Sequence, residues 1–415
     1  MEADIQRHTT GLRTIFMPNP GSKVVHIAVL INTGSRDESP VLNGVSHFIE
    51  HMVFKGTEKR KAFHILNRLD SVGGEINAYT TKEQTCYYAS VSMEHAERAM
   101  DLLADILLHS TFPEAEIEKE KNVISEEIDM YQDYPEETIV EDFESQLFPE
   151  QALGKTILGT RDTITHFSKK DLVKHYKSWY TAPNIAIGLC GDMDSDGAHA
   201  LMLQYFKTAK STAPISKVKS KASKKLFART TEKSLQQAHV LMGGEAPSRH
   251  AMEQWALQVL VNLLGGPAMN SRLNLSIREK YGLVYQINAF YTPYDDTGFT
   301  GIYFSSEAQK RLKVIHLIEQ QLIIINQNGI TSDALNKALR QLCGNIRIQQ
   351  DNRQHLLHHF LKESFQKQIL SPEYHIEKLL KVTPDQLHAV ALKYLNPEKL
   401  SRIVYLPEAS ATPDL

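Results

Sequence analysis

Glu75-Ile76-Asn77-Ala78-Tyr79 recurs in the second half of the chain as Gln286-Ile287-Asn288-Ala289-Phe290. The same order of elements surrounds each copy. A loop follows, then an alternating stretch with the period of a strand (residues 85–91 and 298–305), then an amphipathic helix. The first helix carries Ala96, Met100, Leu103 and Leu107 on one face; the second carries Leu312, Ile315, Ile318 and Leu322. Another helical stretch succeeds each, near residues 116–130 and 334–346. A recurrence of this kind predicts two copies of one α+β domain, each a mainly antiparallel β-sheet packed with α-helices. The expected division is 1–206 and 226–415. Between them, residues 207–225 hold seven lysines and no acid amid Ser, Thr and Ala, the composition of a solvated linker.

The first half alone contains His47-Phe48-Ile49-Glu50-His51. On a helix, positions i and i+4 lie one turn apart on one face, so both imidazoles can address one metal ion with Glu50 beside them. The order inverts the commoner H-E-x-x-H. Two neutral nitrogens and a carboxylate on a rigid helix suit metal-assisted hydrolysis, but a catalytic zinc takes a third protein ligand. Residues 112–144 are rich in acids, and Ile117, Val123, Ile124 and Ile128 recur there at helical spacing, so most of the acids form a solvated face. Glu120 and Glu127 stand seven apart with Ile124 between them, on a stripe that points inward; Glu126 is the rival of Glu127.

These motifs resemble the pitrilysin/insulinase family of zinc peptidases, the inverzincins, and within it the branch of mitochondrial processing peptidase and its bacterial relatives. Residues 29–38, Gly73-Gly74 leading into residues 75–80, Thr85-Cys86-Tyr87-Tyr88, Leu158-Gly159-Thr160 and residues 180–184 carry the resemblance across nearly the whole chain. It implies a half-shell of two homologous domains and one Zn²⁺ per chain, held by His47, His51 and Glu127. It makes Glu50 the general base and Glu120 an auxiliary carboxylate. It makes Ile76, Asn77, Ala78, Tyr79 and Thr80 an edge strand that pairs with an extended peptide, and Phe54 an aromatic lining the pocket beyond the cleaved bond. In the second half, Leu257, Leu260 and Val261 stand near where His47, Glu50 and His51 do in the first, and Asn345 near the counterpart of Glu127. That half offers instead Arg278 and, seven residues on, Tyr285, which resemble the family's substrate-holding pair. Family members close two half-shells on the substrate, so a homodimer with composite sites is the implied assembly.

Composition agrees with a globular protein: 415 residues, 42% hydrophobic and 23% charged. A net charge of −3 gives no reason to expect nucleic acid or an anionic membrane as partner, and no apolar run reaches spanning length. Cys86, Cys190 and Cys343 are odd in number and far apart, as expected of reduced thiols in a cytoplasmic protein; the N-terminus lacks the apolar core of a secretory signal. Gly265-Gly266 reads as a hinge or helix stop. His355, His358, His359 and Glu363 read as a surface helix face. The function expected is zinc-dependent cleavage of extended or unfolded peptide. The alternative is a catalytically silent or partner-dependent peptide-binding or assembly subunit, against which the intact His47, Glu50, His51 and Glu127 speak.

Overall fold

The computed structural model describes residues 3–207, 209–210 and 217–408. Among the described residues, eleven strands form two sheets. The first has the order β1-β2-β6-β3-β5-β4, with β1 Asp4–Arg7, β2 Arg13–Pro18, β3 Val24–Ile31, β4 Glu75–Thr80, β5 Thr85–Ser92 and β6 Ile185–Gly191. The second has the order β7-β11-β8-β10-β9, with β7 Ala228–Lys233, β8 Ala238–Glu245, β9 Val284–Pro293, β10 Gly298–Ser306 and β11 Ser401–Pro407. Each sheet has one parallel pair, β2 with β6 and β7 with β11; the other pairs are antiparallel. With β1 set aside, the two orders coincide strand for strand, so the chain is built from two like α+β units.

The helices follow the same plan. In the first half they are α1 Val45–Met52, α2 Ala62–Asp70, α3 Ala96–Leu108, α4 Glu114–Tyr131, α5 Pro135–Leu147, α6 Arg161–His166, α7 Lys169–Trp179 and α8 Ser195–Phe206. In the second they are α9 Glu253–Gly265, α10 Arg311–Asn328, α11 Ser332–Gln349, α12 Arg353–Glu363, α13 Pro372–Leu380 and α14 Pro384–Tyr394. Among the described residues no helix is long and apolar enough to cross a membrane.

The compact units are not the linear halves. One comprises Met1–Met130, Lys155–Val218 and Ile348–Ser371; the other Tyr131–Gly154, Lys219–Arg347 and Pro372–Leu415. In the first unit, alternation along the strands sends side chains to two faces. Val25, Ile27, Val29 and Ile31 of β3 join α1, α2, α3, α7 and α8 in the main core. Ala28 and Leu30, with Ile15 and Met17 of β2, face the other way and are covered by Leu356, Leu357, Phe360 and Leu361 of α12. Gly188 of β6 makes room for that helix, since a Cβ there would lie 2.7 Å from Leu357 Cδ1. In the second unit, Ile139, Phe143 and Leu147 of α5 cover Leu241, Phe299, Tyr303, Ile403 and Tyr405 of the second sheet. The same unit packs α9 on β9 and against α13 and α14. Each half of the chain therefore lends one helix to the unit built mainly from the other half.

Several details differ from the sequence reading. Val123 and Leu312, though in phase with their stripes, are 47% and 62% exposed. Helix α12 lies on the first sheet, which it covers with one face, while His355 stays exposed. His358 packs against the rings of Tyr79 and Tyr88, and His359 Nε2 is 2.7 Å from the Leu370 carbonyl oxygen, so both histidines are engaged within the fold. Gly266 caps α9 as a helix stop, and Gly265 lets β9 approach; a Cβ there would meet Ala289 N at 2.5 Å. Of the lysine-rich segment, residue 208 and residues 211–216 lie outside the described residues. Its later part is fastened rather than solvated. Lys217 Nζ lies 3.4 Å from Asp37 and donates to Asn32 Oδ1 and the Glu83 carbonyl, and Ala222 is buried in the second unit's core.

Candidate metal centre

Helix α1 has two chemically different sides. Val45, Phe48, Ile49 and Met52 enter the main core, which fixes the helix on the sheet. His47, Glu50 and His51 share the remaining side by their i, i+3, i+4 spacing. The chain enters α1 through Gly44 at φ 95°, a left-handed conformation suited to glycine. A Cβ at Gly44 would also lie 2.7 Å from the Leu158 carbonyl oxygen and 2.8 Å from Gly159 Cα. This close approach explains the Leu158-Gly159-Thr160 stretch.

Helix α4 supplies the carboxylates. Ile117, Glu120 and Ile124 are buried, and Glu127 follows on the same stripe, partly exposed, while Glu126 faces solvent. Glu127 Oε1 lies 3.7 Å from His47 Nε2, and Glu127 Oε2 lies 3.6 Å from His51 Nε2. One ligand atom from each of the three residues falls within 4.8 Å of the others. Atoms bound about 2.1 Å from a tetrahedral zinc sit roughly 3.4 Å apart, so the trio has the dimensions such an ion requires.

The two imidazoles are held differently. His51 Nδ1 is 2.8 Å from Glu120 Oε1, and Glu120 Oε2 is 2.7 Å from Lys55 Nζ. With Nδ1 protonated toward Glu120, Nε2 is left as the acceptor facing Glu127, the usual way an outer carboxylate orients a metal-binding histidine. Burial favours a neutral Glu120, but the His51 ring and the Lys55 ammonium outweigh it and hold the carboxyl below its usual value. Burial likewise favours a neutral His51, but Glu120, Glu127 and Glu50 together raise it. His47 is more deeply buried. Burial, then the nearby His51, pushes its pKa down to about 3, so its ring is neutral at physiological pH. Its Nδ1 has no hydrogen-bond partner among the described residues, and the ring stands edge-on to that of His51.

Glu50 Oε2 accepts a hydrogen bond from Thr80 Oγ1 at 2.5 Å. Burial, only partly offset by this bond, raises the carboxyl above its ordinary value. Thr80 ends β4, which among the described residues pairs with β5 alone and is an edge of its sheet. Ile76 and Ala78 pack toward the main core, while Tyr79 joins the opposite core with Tyr88. Tyr79 can therefore serve the α1 side through its main chain only. Asn77 is exposed. Phe54 is half-buried against the main core, its ring 6.3 Å from that of Tyr87. Arg278 and Tyr285 belong to the second unit. Arg278 is half-buried in the π-helical segment Asn274–Glu279; Tyr285 lies on the edge strand β9 and is 77% exposed. Leu257, Leu260 and Val261 are buried in α9 and offer no ligand.

Sequence reasoning gave no role to Glu38 or Lys55. Lys55 lies four residues beyond His51 in helical phase, a signal that was available. Glu38 carried none, because its partners lie across a loop.

Two like α+β units, with the inverted histidine motif and the facing Glu127 both in the first of them, are the features of a two-domain metallopeptidase fold. Residues 13–161 match the family described as insulinase (peptidase family M16), and residues 166–342 match the peptidase M16 inactive domain. The chain belongs to the M16 peptidase family. Over 348 residues it is 37% identical to an uncharacterized zinc protease of Bacillus subtilis, covering 83% of this chain and 84% of that protein. Over 400 residues it is 32% identical to an uncharacterized zinc protease of Streptomyces coelicolor, covering 93% and 86% respectively. Among solved structures, a protease from Helicobacter pylori shares the fold with a TM-score of 0.90 at 21% identity, over 98% of this chain and 100% of that one.

Proposed function

We propose that the protein is a zinc-dependent endopeptidase that cleaves extended or unfolded peptide segments. The observation that carries the reading is the convergence of Glu127 of α4 on His47 and His51, which share one face of α1 with Glu50. These three residues hold one Zn²⁺ per chain. Bound zinc supplies Lewis acidity, easing deprotonation of water and drawing charge from the scissile carbonyl. Glu50 takes a proton from the water as its oxygen bonds to the carbonyl carbon, then returns that proton to the amine nitrogen as the peptide C–N bond breaks. Thr80 holds one oxygen of Glu50 in place. Glu120 keeps His51 in the tautomer that leaves Nε2 free. The free edge of β4 pairs with the substrate main chain, which reads little sequence, and Phe54 shapes an adjoining pocket.

Arg278 and Tyr285 hold the substrate backbone and stabilise developing oxyanion charge. We take them to act on the site of a second copy, in a homodimer. The free, buried Cys86, Cys190 and Cys343 suit a reducing compartment, which we take to be the cytoplasm. Metal analysis of the purified protein, together with mass spectrometry of products from a peptide library, tests the reading. One zinc per chain with discrete internal cleavages is expected. A metal-free protein without cleavage leaves the silent-subunit alternative.

A further inference from the structure

Glu38 is 6% exposed and belongs to no step of the mechanism above. It lies in the loop between β3 and α1, just after the 3₁₀ turn Ser35–Asp37. Its Oε2 accepts from the Gly44 backbone N–H at 2.7 Å and from Asn43 Nδ2 at 3.2 Å, and its Oε1 accepts from the Ser46 backbone N–H at 2.8 Å. Helix α1 begins at Gly44, which has no side chain to cap it. A helix start leaves backbone donors unpaired, and burying them without acceptors is costly. Here the acceptor comes from six residues upstream. The opposite side of the same start is closed by Gly159, which lies against Gly44, and by Asn43 Nδ2, which also donates to the Thr156 carbonyl oxygen at 2.8 Å.

We propose that Glu38 is a positioning residue for the metal centre: by clamping the first turn of α1 it sets the helix register and tilt that aim His47 and His51 at Glu127. The inference rests on reading those three residues as the zinc ligands. Helix α1 has only eight residues, and His47 follows directly after the clamped Ser46. Displacement of its first turn is carried to both imidazoles, and sites of this kind tolerate only about 0.5 Å of misplacement. A carboxylate suits the task because, when ionised, both its oxygens accept, and here they face donors of Asn43, Gly44 and Ser46. Glutamine would turn an NH₂ group toward one of them. Burial pushes the Glu38 carboxyl up to about 7, with the backbone donors of Ser46 and Gly44 acting against that rise.

The test compares Glu38→Gln and Glu38→Asp with Met202→Ala, a core change in α8 chosen to lower Tm without touching the α1 entry. Zinc affinity is measured by chelator competition at a temperature where circular dichroism shows each variant folded, and kcat and KM are measured on a cleaved peptide. The expected result for Glu38→Gln is roughly tenfold weaker zinc binding or more, the scale of outer-shell substitutions. Its kcat should fall while KM stays near wild type. Met202→Ala should keep wild-type zinc affinity despite an equal loss in Tm. If Glu38→Gln does not fold, Glu38→Asp carries the same comparison, because it keeps the charge but shortens the reach. Wild-type zinc affinity and kcat in a folded Glu38 variant with lowered Tm would overturn the proposal and leave Glu38 a stabilising cap. Failure of the wild-type protein itself to bind zinc would instead overturn the metal-site reading, and the proposal with it.

Discussion

Thr80 Oγ1 donates to Glu50 Oε2 at 2.5 Å, so the last residue of an edge strand restrains a carboxylate on the neighbouring helix α1. The strand expected to take the substrate and the group expected to activate water are thus linked through one hydroxyl. Thr80→Val keeps the shape and removes the donor. It should lower kcat by roughly tenfold, the scale of a hydrogen bond to a charged group, with zinc content unchanged. Thr80→Ser should restore most of the rate. Full activity in the valine variant would show that Glu50 is oriented by other contacts.

Glu127→Gln should lose zinc, whereas Glu126→Gln should retain it. Glu127 faces both imidazoles while Glu126 faces solvent. Metal analysis of the two purified variants decides the assignment. Loss of zinc in the Glu126 variant alone would reverse it.

Glu50→Gln should bind zinc normally and lose turnover by a factor on the order of a hundred or more, the size of general-base effects. Steady-state kinetics beside metal analysis separates this from ligand loss. Near-normal turnover would mean that another group takes the proton.

His175 of α7 is buried with Nε2 3.4 Å from Ser46 Oγ, and burial pushes its imidazole down to about 4 from an ordinary value of 6.5. A base depressed in the folded state contributes its full stability above its unfolded value and loses it as pH falls toward the folded value. The affected window is therefore about pH 6.5 to 4. At pH 5 the loss is on the order of 2 kcal/mol. Urea unfolding of metal-stripped protein at pH 7 and pH 5 measures it. In His175→Gln the difference between the two pH values should shrink by that amount; an unchanged difference would exclude His175 as its source.

If Arg278 serves the site of a second copy, Arg278→Ala should lower kcat/KM without loss of zinc. Mixing it with inactive Glu50→Gln should then return some activity, because one of the two composite sites in a mixed dimer has both residues intact. Demonstrated subunit exchange with no recovered activity would show that the two residues do not meet across a dimer.

The parts of this chain that could be read in advance are those whose signal is local. His47, Glu50 and His51 share a helix face by spacing alone, and Glu120 and Glu127 share another. The repeated strand-helix order disclosed two like units. Periodicity states which face of an element is buried, not against what. Hence residues 355–363 read as a surface helix while the sheet that α12 covers went unseen, and Val123 and Leu312 were in phase yet stand exposed. Tyr79 was grouped with its strand neighbours, although alternation sends its ring to the other core. Glu38 was invisible as a cap because its partners are set by how a loop closes.

The exchange of α5 and α12 bears on how the chain can be divided. A cut anywhere in the lysine-rich segment leaves an N-terminal fragment whose Ile15, Met17, Ala28 and Leu30 have lost the cover of α12. It leaves a C-terminal fragment whose Leu241, Phe299 and Tyr405 have lost α5. Each fragment retains a helix for which it has no sheet and exposes a sheet face that has lost its covering helix. Neither is an inheritable module by itself, and a gene split at that point would have to preserve both pieces together.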